Sequence, residues 1–385
     1  MPVRSPALPT VRYGDAALAD LLPSVLTALG ARGERNPLGL PDLQRIVVLL
    51  VDGLGWQALR RHADLAPFLT GLAGRPLTAG FPTTTVVSLV SLGTGLPSGQ
   101  HGLTGYSSYV PEVGAAVNWL SWAPIGGGAD LRERLVPEVV QPAETALERA
   151  AADGITVTVV SPRQFLGSGL TRAALRGGEY AGTVTFGDVI VNVAAAAARG
   201  SRSLVYCYLH ELDLVGHVRG VESDAWLAQL ELVDHMAAAL AARLPPQVTL
   251  LITADHGMVT VPEENKIDFD ASTALQGGVL ALAGEPRARY VHVQPGAAAE
   301  VRAAWQEQLG ARMWIPSRAE AVAAGWFGPT VTPTAAERVG DVIAVAHTPA
   351  AVVRRRTESQ VSALPGQHGA LSDEELLVPL LRYDS

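Results

Sequence analysis

The chain has a single cysteine, Cys207, so no intrachain disulfide can form. It sits in the apolar run Leu204-Val-Tyr-Cys-Tyr-Leu209 and reads as a buried structural thiol. Charged residues are few, at 17%, and the net charge is −8 with no basic stripe, which argues against a nucleic-acid polymer as partner. No apolar stretch reaches the ~18 residues that a membrane span needs. Met1-Pro-Val-Arg-Ser-Pro6 lacks the basic start, apolar middle and cleavage site of a secretion signal. The expectation is therefore a soluble, cytoplasmic protein with no membrane partner; oligomeric state is left open.

Hydrophobic residues make up 48%, enough for a large core, and 385 residues suit two average domains or one large α/β unit with an insertion. Arg45-Ile-Val-Val-Leu-Leu-Val51, Ile155-Thr-Val-Thr-Val-Val160, Leu204–Leu209 and Val248-Thr-Leu-Leu-Ile252 are continuous apolar runs, the pattern of strands covered on both faces. The alanine-rich run near 186–199 and Trp226–Leu244 are helical. Residues 1–44 read as an N-terminal extension with a helical stretch near Ala16–Leu29. After Glu264 the texture changes, and 266–340 reads as a small inserted α+β cap. That divides the chain into 1–265, the first part of the core; 266–340, the cap; and 341–385, the last part of the core. Asp341–Ala346 is expected to rejoin the main sheet.

The chemistry gathers where strands end. Asp52-Gly53 follows the first strand, and Asp255-His256 follows Thr253-Ala254 after another. Asp213 and His217, four apart, share a helical turn beyond Leu209, and His368 lies in a late loop. A parallel sheet gathers its ligands outside the carboxyl ends of its strands. Three carboxylates and three imidazoles are too many for one tetrahedral zinc but suit two. Two divalent ions against three aspartates leave a positive site that attracts phosphate and acidifies a hydroxyl. Phe81-Pro-Thr-Thr-Thr85 supplies hydroxyls at a helix start, where free N–H groups favour anions. Thr85, set against one ion, could then serve as a nucleophile.

Asp52-Gly53, Phe81-Pro-Thr-Thr-Thr85 leading to Thr94-Gly-Leu96 and His101-Gly102, Asp213-x-x-Gly-His217, Thr253-Ala-Asp-His-Gly-Met258 and Gly-x-His368-Gly together resemble the alkaline phosphatase superfamily. Within it they are most similar to the nucleotide pyrophosphatase/phosphodiesterase branch. The resemblance covers residues 46–369 and implies a three-layer α/β sandwich: a mostly parallel central sheet, helices on both faces and a small α+β insertion. It also implies that Asp52, Thr85, Asp255 and His256 bind one zinc and that Asp213, His217 and His368 bind the second. Thr85 would be the nucleophile, with Thr84 the alternative, and Tyr106 would bind substrate where relatives carry an asparagine. Val86-Val87-Ser88 departs from the Phe-Pro-Asn that follows the nucleophile in eukaryotic members.

The expected activity is hydrolysis of phosphodiester or pyrophosphate bonds in a small, nucleotide-type substrate through a phosphothreonine. A phosphomonoesterase or phosphonate hydrolase on the same core is the alternative, and a catalytically silent metal- or nucleotide-binding protein is the alternative of another class. All seven expected positions are filled, which favours an enzyme.

Overall fold

The computed structural model describes residues 8–385. The start of the chain read above for a leader falls in residues 1–7, outside the described residues. The strands that build the two larger sheets are β1 (Arg45–Val51), β2 (Ala73–Thr78), β3 (Thr156–Pro162), β4 (Glu179–Thr183), β5 (Ser203–Leu209), β6 (Val248–Thr253), β7 (Val279–Glu285), β8 (Ala288–Val293), β9 (Met313–Trp314), β10 (Val342–Ala346) and β11 (Leu377–Asp384). The central sheet has seven strands in the order β2–β11–β6–β1–β5–β3–β4. Its pairings are parallel except those of β11, which runs against both neighbours.

Every residue of β5 and β6 is buried, as is all of β1 beyond Arg45, which is why these stretches read as unbroken apolar runs. Helices α1 (Thr85–Thr94), α2 (Phe186–Ala197), α3 (Glu211–Arg219) and α4 (Asp224–Ala241) flank the sheet. α4 buries Trp226, Leu230, Val233, Ala237 and Leu240, one stripe at helical spacing, and Ser223 caps its start by accepting the Trp226 N–H.

The sheet register positions the site. Leu50 lies opposite Tyr208 of β5 on one side and Thr253 of β6 on the other, so three parallel strands end at one level. The residues that follow are delivered to one edge, as the open-sheet rule requires.

A second, antiparallel sheet runs β7–β8–β10–β9 over its own buried cluster, which includes Tyr290, Trp305, Phe327 and Ile343. Here the sequence expectation is corrected. β10 does not rejoin the main sheet; it pairs with β8, Ile343 opposite Tyr290. A strand buried on both faces carries no mark of which sheet it will join, and only the pairing register decides. The chain regains the central sheet at β11. No described helix is long and apolar enough to cross a membrane.

Candidate active site

Two glycines let the motif loops come together. Gly53 has φ +77°, and a Cβ there would stand 3.0 Å from Asp213 Cα, so the turn after β1 and the start of α3 touch backbone to backbone. A Cβ on Gly257 would meet Glu374 O at 2.0 Å, an overlap no side chain could relieve. Asp52 and Asp213 are thus drawn together, and the Asp255-His256 loop is pressed against the segment before β11.

Around His256 Nε2 stand Thr85 Oγ1 at 3.3 Å, Asp52 Oδ1 at 3.5 Å and Asp255 Oδ2 at 3.5 Å. A second group forms around His217 Nε2, with His368 Nε2 at 3.2 Å and Asp213 Oδ1 at 3.5 Å. Asp213 also comes within 4.8 Å of Asp52 and His256, so it stands between the two groups. Four ligands at ~2.0–2.1 Å around a tetrahedral ion lie about 3.3 Å apart. The observed spacings match that geometry.

The hydrogen bonds of the three imidazoles fix which nitrogen is free. His217 Nδ1 lies 2.8 Å from Gly366 O, His368 Nδ1 2.7 Å from Thr83 O, and His256 Nδ1 3.1 Å from Gly257 O. Each Nδ1–H donates to a backbone carbonyl, and each Nε2 lone pair is turned into the cluster, the arrangement of a metal-binding histidine. Two such lone pairs facing each other at 3.2 Å repel unless a cation lies between them. Burial pushes His368 well below the ordinary histidine range, and the neighbouring His256 and His217 push the same way.

The carboxylates tell the same story. Asp52 Oδ1, Asp213 Oδ1 and Asp255 Oδ2 are buried and have no hydrogen-bond partner. Burial first, then the charges of Asp255 and Asp213, raise Asp52 well above the usual carboxylate range. Buried carboxylate oxygens without hydrogen-bond partners, facing imidazole Nε2 atoms, are a donor set that fits a cation. Asp52, Thr85, Asp213, His217, Asp255, His256 and His368 thus lie around one cluster.

The three threonines are placed differently. Thr83 Oγ1 donates to Ala370 O at 2.8 Å and accepts the Gly369 N–H at 3.1 Å, holding the His368 loop against α1. Thr84 is the N-cap of α1 by backbone conformation, without a side-chain cap bond. Thr85 is the one of the three whose hydroxyl lies within hydrogen-bond distance of His256. The unusual Val86-Val87-Ser88 also has a local reason: both valines are fully buried, and Ser88 Oγ donates to Asp255 O at 2.7 Å. Tyr106 lines a cavity with Thr84, Thr85 and His368, and its Oη accepts from Asn118 Nδ2.

His101 is buried between Ser91 and the Leu103 N–H, and burial depresses it to about 3. Trp119 and Trp122 are buried in the core with ring centroids 4.9 Å apart. In the run Arg354-Arg-Arg356, Arg355 and Arg356 are exposed, whereas Arg354 is half-buried over Phe269.

Sequence reasoning passed over Tyr208, whose phenol donates to Asp52 Oδ2. The signal was available: Tyr206, Tyr208 and then His210 alternate toward one face of a strand aimed at the cluster. Ser88 was seen only as a departure. Glu285 was not seen at all. It is buried at the end of β7 and shares the cavity lined by Thr84, Thr85, His217 and His368. A neighbouring cavity of about 240 Å³ opens beside Asp52 and Thr85 among Leu89, Leu120, Phe165 and Leu170.

A mixed α/β sheet with a carboxylate–imidazole cluster at its carboxyl edge defines the class: an alkaline-phosphatase-like protein. Residues 46–371 match the type I phosphodiesterase / nucleotide pyrophosphatase family, and the chain belongs to it. Among solved structures it is similar to murine ectonucleotide pyrophosphatase/phosphodiesterase 5, with TM-score 0.68 and 18% identity, over 89% of this chain and 88% of that one. The human counterpart gives TM-score 0.67 at 18% identity, over 89% and 88%. A murine variant described as inactive, one threonine changed to alanine, in complex with AMP, gives 0.65 at 18% identity, over 88% and 87%. A search of curated protein sequences finds no significant match.

Proposed function

We propose that this protein is a two-metal phosphodiesterase acting on nucleotide-type diesters or pyrophosphates, with Thr85 as its nucleophile. One observation carries the proposal: three imidazole Nε2 atoms and three carboxylate oxygens without hydrogen-bond partners converge at ligand spacing beside one threonine hydroxyl. Asp52, Thr85, Asp255 and His256 would hold one divalent ion, and Asp213, His217 and His368 the other, zinc suiting this nitrogen and oxygen set. Such ions, when bound, screen phosphoryl charge and make a hydroxyl or water a stronger nucleophile at neutral pH.

The protein's own groups do the rest. Thr85 is the first residue of a ten-residue helix, so backbone N–H groups of its first turn are free to receive phosphoryl oxygens. The Thr85 oxygen forms a bond to phosphorus as the ester oxygen departs, and water later breaks the phosphothreonine to restore the alcohol. Leu89, Leu120, Phe165 and Leu170 offer an apolar seat to a nucleobase or aryl ester group. The second cavity beside Thr85 is lined, among the described residues, by no lysine or arginine, which suits the single charge of a diester better than the double charge of a monoester. A family member of this fold in complex with AMP supports a nucleotide-type substrate.

The test is to measure bound metal and compare an aryl phosphodiester with the aryl phosphomonoester. Thr85→Ala should lose at least about 1,000-fold in kcat while keeping its metal. Full activity of that variant, or of metal-free protein, would sink the mechanism; a strong monoester preference would move the substrate to the alternative class.

A further inference from the structure

Leu120 is 45% exposed at the tip of a tightly held hairpin. The strands Ala115–Asn118 and Ala123–Pro124 pair with Asn118 opposite Ala123, which leaves Trp119–Trp122 as the turn. Trp119 and Trp122 are fully buried on either side of the tip. The Trp122 Nε1–H donates to Leu135 O at 2.7 Å. A Cβ on Gly169 would stand 2.3 Å from the Trp122 ring, so the ring lies directly on the backbone before Leu170. Asn118 Oδ1 accepts the Leu120 N–H at 2.8 Å and the Ser121 N–H at 3.2 Å. Trp122 has φ +55°, a costly backbone conformation for so bulky a residue, and such strain gathers at ligand clamps. An exposed leucine by itself means little; its place decides. Two cavities of about 240 Å³ each open beside Thr85, and the residues common to both are Thr85, Asp213, His217 and Leu120. Three of these carry the chemistry proposed above. Leu120 is the fourth, and it stands between the cavities.

We propose that Leu120 determines substrate specificity: its side chain packs against both ester groups of a bound phosphodiester and selects substrates in which both groups are large over those in which one is small. The inference rests on the phosphodiesterase function proposed above. A phosphodiester carries two ester groups, and Thr85 marks where its phosphorus lies, so one group enters each cavity. Beyond Leu120 both cavities continue apolar, one along Leu89, Phe165 and Leu170, the other along Pro286, Val361 and Leu364. A large flat group seated on either side removes water from the exposed leucine, whereas a methyl ester leaves that side of it wet. The anchored turn sharpens the effect, because a tip already fixed by two buried tryptophans loses little freedom when substrate arrives.

The test compares wild type, Leu120→Ala and Leu120→Met on a bis(aryl) phosphate and on the methyl aryl phosphate with the same leaving group, with metal content measured on each protein. Ala removes the wedge and Met keeps its volume; at an exposed tip neither opens a cavity in the core. In Leu120→Ala the ratio of kcat/KM for the bis-aryl ester to that for the methyl ester should fall about 10-fold, chiefly through KM of the bis-aryl ester, with bound metal unchanged. In Leu120→Met the ratio should stay within about 2-fold of wild type. Binding without turnover gives a second reading: the bis(aryl) phosphate should bind Thr85→Ala/Leu120→Ala about 10-fold more weakly than Thr85→Ala by calorimetry. A purely structural role would slow both esters alike and leave the ratio flat. A flat ratio in Leu120→Ala, or a fall just as large in Leu120→Met, overturns the proposal while the phosphodiesterase function stands. A metal-loaded wild type inactive on both esters overturns that function first, and this inference with it.

Discussion

Replacing Glu285 by Gln should stabilise the protein, and by an amount that grows with pH. The folded state holds the carboxyl proton up to about 8, against 4.5 for an ordinary glutamate. Between those values the native protein binds a proton that the unfolded chain releases, so stability falls as pH rises. Each pH unit across that interval costs about 1.4 kcal/mol, and burial at 3% exposure leaves little solvent screening to discount. Acidic solution is where the contribution of Glu285 is intact; it is lost on approaching pH 8. Allowing for relaxation around the ionised group, the stability gap between Glu285→Gln and wild type should widen by about 3 kcal/mol from pH 5 to pH 8. With about 2.1 cal/mol/K per residue over 385 residues, that is a Tm difference growing by about 4 °C. Scanning calorimetry on both proteins stripped of metal reads it directly, and taking the difference cancels every other titrating group. Parallel Tm curves across this range would refute the protonated, buried carboxyl.

Two further outcomes are expected. Tyr208→Phe removes the phenol that donates to Asp52, and zinc affinity by calorimetry should fall about 10- to 100-fold, as when the hydrogen-bonding partner of a metal ligand is lost; unchanged affinity would show that Asp52 orients itself. Arg287→Met strands Glu375, fully buried and held by Arg287 at 2.7 and 2.8 Å, and should cost about 3–5 kcal/mol in denaturant melts, much of it regained in Arg287→Met/Glu375→Leu. A single variant within about 1 kcal/mol of wild type would mean that water reaches Glu375.

Much of the site was legible because its residues follow strands whose apolar runs announce themselves. Asp52 and Asp255 need only a parallel pairing to meet, and Asp213 and His217 only a helical turn. His368 was legible through the motif resemblance and not through periodicity, and nothing in Gly366-Gln367-His368 tells that Thr83 pins its loop. Tyr208 could have been found from strand alternation, given the direction in which the strand runs. The fate of Asp341–Ala346 could not, because both sheets accept the same buried run.

Glu285 marks the limit of sequence reading and alters what the second sheet is for. Gly284-Glu285-Pro286 carries no periodic or motif signal, and its meeting with Thr84 depends on how one sheet packs against the other. That packing has fixed points. Arg287, two residues on, grips Glu375, whose Oε1 also accepts the Ala370 N–H two residues after His368. Arg289, two further, grips Glu358. One strand end therefore ties the second sheet to the loop carrying His368 and aims Glu285 into the cavity beside Thr85. Ions held this deeply are costly to move, so the joint is rigid. The second sheet thus supplies Glu285, with Pro286 after it, to one wall of the cavity beside Thr85, and the Arg287–Glu375 pair holds that wall in place.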